Sequence, residues 1–192
     1  MKKILLFLLL FICYTGIMGQ TGAGNKKKCS CSFATINQLG VMEGSASSSF
    51  LLQSVNGIRY KTWFAGIGAG IDYYYIRGIP LFLDIRKYLN NKATTPFIYA
   101  DGGFHFGWGR ERDSHFYGES DFNVGPYLDA GLGYKVGIGK DNAFIFSAGY
   151  SYKSVKETTT YFGACGWGGC QELKETYMNY LNRISLKFGL ML

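Results

Sequence analysis

The chain has 192 residues and a formal net charge of +7, from 20 Lys and Arg against 13 Asp and Glu. Its 27 glycines, 15 Tyr and 15 Phe, with only 3 prolines and no long helix-period segment, argue for a single all-β domain. The positive excess is mild and comes with no basic stripe or recognition motif, which excludes nucleic acid as the partner and leaves anionic lipid headgroups as a match.

Residues 1–19 read as a secretory signal. Lys2 and Lys3 give a basic start, 4–12 is a short apolar run, and Gly16 and Gly19 supply small residues before Gln20. The run is too short for a spanning helix, which needs roughly 20 residues. Cleavage after Gly19 would remove two positive charges and leave one domain. Residues 20–32, QTGAGNKKKCSCS, read as a polar, flexible tail.

Eight strand candidates follow. The first two, 33–43 and 48–55, alternate imperfectly. Asn56 and Gly57 come next, the strongest two-residue hairpin signal in the chain. The third candidate, 58–74, sets Trp63, Ala65, Ile67, Ala69, Ile71 and Tyr73 on one face against Phe64, Gly66, Gly68, Gly70 and Asp72. The fourth, 79–88, opposes Ile79, Leu81, Leu83 and Ile85 to Phe82, Asp84 and Arg86. The fifth, 95–108, opposes Ile98, Ala100, Phe104, Phe106 and Trp108 to Tyr99, Asp101 and His105.

The sixth, 122–136, places Val124, Pro126, Leu128, Ala130, Leu132 and Tyr134 opposite Tyr127, Asp129, Gly131, Gly133 and Lys135. The seventh, 143–155, sets Phe144, Phe146, Ala148, Tyr150 and Tyr152 against Ser147, Gly149, Ser151 and Lys153. The last, 177–192, sets Ile184, Leu186, Phe188, Leu190 and Leu192 against Arg183, Ser185 and Lys187. In each, one face wants hydrocarbon and the other carries the ionisable groups.

The connections alternate in length. Asn56 and Gly57, 89–94 and 137–142 are short, while 109–121 and 156–176 are long. Short turns at one end and long loops at the other are the pattern of a transmembrane barrel, with both termini on the short-turn side when the strand number is even. Tyr73, Trp108, Tyr150, Tyr152 and Tyr180 would gather at the long-loop rim, and Trp63, Tyr134 and Phe144 nearer the other, as interfacial belts do. The predicted fold is therefore an all-β, eight-stranded, antiparallel up-and-down transmembrane β-barrel.

In lipid, only helices and closed barrels satisfy every backbone donor and acceptor. A Lys or Arg facing the bilayer midplane would cost about 2–4 kcal/mol, so the charged face turns inward, where it can pair. The predicted lumen network is Asp72, Asp84, Arg86, Asp101, His105, Asp129, Lys135, Lys153, Arg183 and Lys187, acids and bases nearly in balance. Glycines 66, 68, 70, 131 and 133 share that inward parity, where a narrow bore has least room. These charges can be read as a pore lining or proton path, or as a salt-bridged plug. Eight strands leave an interior that side chains fill, which favours the plug.

With these residues in place, the stretches NGIRYKTWFAGIGAGIDYYY, IPLFLDIRKYL and PFIYADGGFHFGW resemble the small outer-membrane β-barrel proteins of diderm bacteria, the group that includes the OmpA-type transmembrane barrel. The likeness covers roughly residues 35–192. It implies residence in the outer membrane with periplasmic termini, contact with outer-membrane lipid and lipopolysaccharide, and insertion by the barrel-assembly machinery guided by the last strand. Many members end that strand in an aromatic residue; this chain ends Leu190, Met191, Leu192, with Phe188 earlier. Porin-like conduction is a property of some relatives and does not follow from these motifs.

Chemistry beyond the barrel is sparse. Some barrels of this size modify lipid A with His and Ser near the outer rim, and Ser114 and His115 lie in the 109–121 loop. Neighbouring loop side chains diverge, so a Ser–His pair with a third orienting group is hard to build there. His105 reads as a satisfied lumen histidine. Cys165 and Cys170 flank the turn GACGWGGC, 163–170, and could close a small disulfide ring, whereas Cys29 and Cys31 are too close for an unstrained mutual bridge. That glycine-rich turn lacks the Lys-Ser/Thr context of a phosphate loop. No catalytic, metal or cofactor constellation is expected.

Three readings follow: a structural or interaction barrel whose long loops meet other molecules, an outer-membrane lipid-modifying enzyme, and a secreted lipocalin-like carrier. The last requires the opposite polarity, apolar inside and charged outside, and the chain lacks an early Gly-x-Trp strand motif.

Overall fold

The two-residue periodicity becomes nine antiparallel segments that form eight staves of a closed ring. The computed structural model describes residues 31–45, 47–107, 118–139, 142–166 and 169–192; for 118–121, 161–166 and 169–172 it describes the backbone alone. The segments are β1 (Cys31–Gly44), β2 (Ser48–Tyr60), β3 (Trp63–Asp72), β4 (Gly78–Tyr88), β5 (Thr95–Gly107), β6 (Gly118–Phe122), β7 (Gly125–Gly137), β8 (Ala143–Gly166) and β9 (Gly169–Met191). Each pairs with its chain neighbour, except that β6 and β7 follow one another along the same edge of β8 and together make one stave. β1 and β9 close the ring from Ile36↔Met191 to Gly44↔Arg183. Thr35 and Leu192 then exchange both backbone hydrogen bonds, at 2.9 and 2.8 Å. The expected eight-stranded, all-antiparallel architecture is the one observed.

Several boundaries differ from the sequence expectation, each for a physical reason. Asn56 and Gly57 do not turn: they lie inside β2, paired with Thr35 and Ala34 on one side and with Ile67 and Gly66 on the other. The Asn56 side chain accepts a 2.9 Å hydrogen bond from the Thr35 hydroxyl, and a Cβ at residue 57 would run into the Ala65 carbonyl. The glycine therefore serves close packing of neighbouring backbones instead of a turn. The reversal falls at Lys61 and Thr62, with Lys61 left-handed at φ 53°. β1 begins at Cys31, so the last two residues of the expected tail pair with Tyr60 and Arg59.

The expected long loop 156–176 is strand over most of its length. β8 and β9 stay paired from Ala143↔Met191 up to Gly166↔Gly169, with a register irregularity between Phe162 and Cys165. Thr158, Thr159 and Thr160 supply β-branched residues that favour this extension. β6 adds a third strand along the hairpin, from Gly118↔Tyr161 to Phe122↔Glu157. The expected loop 109–121 thus becomes strand at 118–121, and its remaining residues, including Ser114 and His115, lie outside the described residues.

Two turns at the opposite ends fix strand directions. Leu89 donates to the Pro96 carbonyl at 3.0 Å and Asn90 to the Thr95 hydroxyl at 3.1 Å, closing the β4–β5 turn. At the other end the Asp72 carboxylate accepts the Tyr74 N–H at 2.8 Å, an Asx turn that leads into left-handed Tyr75 at φ 60°.

The wall sorts by parity. Phe33, Ile67, Leu83, Phe104, Leu132, Ile184 and Leu186 face outward, each more than half exposed. Inside, two apolar clusters sit toward the ends of the bore. One is built on Ile36, Phe64, Phe82, Phe97, Tyr127 and Ile145, the other on Met42, Leu51, Tyr74, Val155 and Leu181. Inward glycines make room for the rings: the Phe82 ring occupies the space a Cβ would need at Gly68, and the Phe97 ring does so at Gly133. No helix among the described residues is long and apolar enough to cross a membrane.

Candidate functional site

The chemistry-bearing side chains lie on the bore. Asp72, Asp84, Arg86, Asp101, His105, Asp129, Lys135, Lys153, Arg183 and Lys187 are all buried there, none more than 8% exposed. They come from β3, β4, β5, β7, β8 and β9 because each occupies an inward parity position. The register then divides them into groups.

Nearest the long-connection end, Asp72 accepts from Lys153 at 2.9 Å and from Arg183 at 2.5 Å. Lys153 also donates to the carbonyl of Tyr74 at 2.9 Å, and Arg183 donates its other arm to Ser151 at 2.7 Å. His105 Nε2 lies 3.4 Å from the Lys153 ammonium, so it faces a proton-rich group and is suited to accept. One carboxylate thereby ties β3 to β8 and β9.

Across the middle, Lys187 meets Asp129 at 3.1 Å and Asp101 at 3.5 Å. Asp129 also accepts from Tyr99 at 2.8 Å, from Ser185 at 3.3 Å and from Tyr127 at 3.4 Å. Gln53 donates to the Tyr127 oxygen at 3.0 Å and accepts from Gln38 at 2.7 Å. Below this layer Arg86 forks onto Asp84 from its own strand, with Nη2 at 2.6 Å and Nε at 2.9 Å. The guanidinium is boxed by the rings of Phe97 at 5.5 Å, and of Phe64 and Tyr99 at 5.9 Å. Charged hydrogen bonds of this kind are shorter and about twice as strong as neutral ones.

Gln38, Gln53, Tyr99, Tyr127, Ser151 and Ser185 complete these networks. The last four share the predicted inward faces without belonging to the predicted charge network, and the two glutamines are not singled out by the sequence. They are neutral, and their signal was the inward parity alone. Lys135 differs from the other bases. Its ammonium lies 4.9 Å from the centre of the Tyr88 ring, and among the described residues no carboxylate pairs with it.

What this arrangement does chemically is hold opposite charges rigidly beside one another. Among the described residues no three His, Cys, Asp or Glu converge as metal ligands. The backbones of Cys165 and Cys170 stand directly opposite one another near the hairpin tip. Cys31 is disulfide-bonded.

Neither a protein-family model nor a curated protein matches the sequence. Solved structures match the fold. The outer membrane protein OprG from Pseudomonas aeruginosa aligns with a TM-score of 0.52 and 13% identity over 86% of this chain and 97% of that one. The N-terminal β-barrel domain of OprF from the same organism gives 0.47 and 13% over 83% and 97%. Outer membrane protein AlkL, determined in lipid bilayers, gives 0.46 and 9% over 91% and 95%. At such identities the likeness lies in the backbone, and the chain has the closed eight-stranded barrel fold seen in OprG.

Proposed function

We propose that this chain is an outer-membrane β-barrel with a side-chain-filled lumen, acting as a structural and interaction element of the cell envelope. The observation that carries the reading is the polarity of the closed ring. Leu132, Ile67, Leu83 and Ile184 stand outward at 60–67% exposure, while Asp72, Asp84, Lys153 and Arg183 are sealed inside at 0–1%. Soluble monomers rarely expose contiguous apolar patches beyond a few hundred Å², and lipid is the solvent that suits such a wall. The likeness to OprG, described as an outer membrane protein, supports the same solvent. A lipocalin-like carrier fits poorly, because the bore is filled by the chain's own ions and rings.

In this reading the short turns and both termini face the periplasm, and the β6–β8–β9 extension stands outside the cell, where it meets partners. Outer-membrane lipid and lipopolysaccharide surround the wall, and the barrel-assembly machinery inserts it. The role is one of scaffold and contact, with no reaction assigned. Fractionation followed by a gel run before and after boiling tests it. A band in the outer-membrane fraction that shifts on boiling is expected. Protein that stays monodisperse in buffer without surfactant overturns the proposal.

A further inference from the structure

The mouth of the bore at the short-turn end holds positive charge that the lumen network does not use. A cavity of about 190 Å³ opens there, and its lining includes Arg59, Asn91, Lys92, Lys135, Asn142 and Met191. Lys135 is only 8% exposed, Arg59 is half-buried, and the Arg59 charge bears on the Lys135 ammonium. No carboxylate among the described residues lines the cavity. Lys135 and Arg59 sit together with no acid among the described lining residues, and a sheltered ammonium without a counter-charge is costly.

We infer that this mouth is a binding site for a phosphate-type dianion, either free phosphate or a phosphomonoester headgroup. The donor set fits that chemistry better than a carboxylate. Arg59 offers a planar fork that can take two oxygens of a tetrahedral anion, while Lys135 and Lys92 supply point charges to the others. Asn91 and Asn142 in the same lining bring side chains that can add neutral donors. The space is several times the roughly 30 Å³ share of one water, enough for the anion and part of its hydration. The Lys135 ammonium lies 4.9 Å from the centre of the Tyr88 ring, which is buried beside the cavity lining.

The site belongs to the mouth and not to the wall, so it stands or falls separately from the membrane reading. The test uses the folded chain in neutral detergent, titrated calorimetrically at constant ionic strength with inorganic phosphate and, separately, with short-chain phosphatidic acid. Saturable binding of at least one probe is expected. Phosphate binding alone assigns a free anion, and lipid binding alone assigns a headgroup. Lys135→Gln and Arg59→Gln should each weaken binding at least about tenfold, the worth of one charged hydrogen bond. Lys61→Gln, whose ammonium lies over the Tyr60 ring outside the cavity, should change it less than about twofold. Arg59→Gln keeps the test valid if Lys135→Gln fails to give a heat-modifiable band. No saturable binding of either probe, or equal loss in Lys61→Gln, overturns the site.

Discussion

Asp72 shows how much of the interior can rest on one side chain. It receives Lys153 and Arg183 and also caps the turn through the Tyr74 N–H, so β3, β8 and β9 meet at a single carboxylate. Removing one partner of a buried pair strands the others, at about 3–5 kcal/mol. Asp72→Ala should therefore lower the urea midpoint in micelles sharply. The triple variant Asp72→Leu, Lys153→Met, Arg183→Met should lose less than that single change, because no charge is left uncompensated. A triple variant weaker than the single one would refute the ion-pair account. Gly133 makes the complementary steric case. Its missing Cβ is the space of the Phe97 ring, so Gly133→Val overpacks the bore and should cost about 1–3 kcal/mol. Gly139, with open space around it, is the matched control, and Gly139→Val should be near neutral in the same unfolding series.

At the scale of elements, the β2–β3 reversal separates what the sequence makes legible from what it hides. Asn-Gly is a strong local turn signal, yet pairing on both edges of β2 overrides it and moves the turn to Lys61 and Thr62. Lys61→Gly should alter stability by less than about 1 kcal/mol, since relief of the left-handed backbone offsets the added chain entropy. Gly57→Val should be far worse, because its side chain would meet the Ala65 carbonyl and the Phe64 ring. The reverse ranking in refolding yield would restore the turn to Asn56 and Gly57. β3, β4, β5 and β7 were readable because an apolar outward face alternates with an inward face that carries their acids, most of their bases and several glycines. β1 and β2 were blurred, because inward Ile36, Met42, Leu51 and Val55 are themselves apolar and cap the ionic layers. Arg59 is hidden for a different reason: a third strand starting at residue 58 puts it on the outward parity, whereas in β2 it shares the inward parity of Leu51, Gln53 and Val55. The inward acids and bases could be read from parity. Their pairings could not, since Arg183 finds Asp72 across 111 residues of chain, through a register that only the closed ring sets.

At the scale of the whole molecule, one question decides the rest: which solvent the outer wall meets. Depth along the wall separates the possible answers. Leu132 sits in the middle of the apolar band, 67% exposed, between Ile98 and Ala148 on the neighbouring strands. Phe33 is 71% exposed but lies at the short-turn end, opposite Ile58. In a bilayer an outward Arg costs about 2–4 kcal/mol at the midplane and about 0–1 near the interface. Leu132→Arg should then destabilise the vesicle-inserted barrel strongly and Phe33→Arg hardly at all. In water both positions are solvated, and an Arg at either would be close to neutral or slightly favourable. Urea unfolding from phospholipid vesicles measures both on one scale. A large gap between the two variants is the expected result. Equal, small effects would place the wall in water, and the buried ions would then need another reason for lying inside.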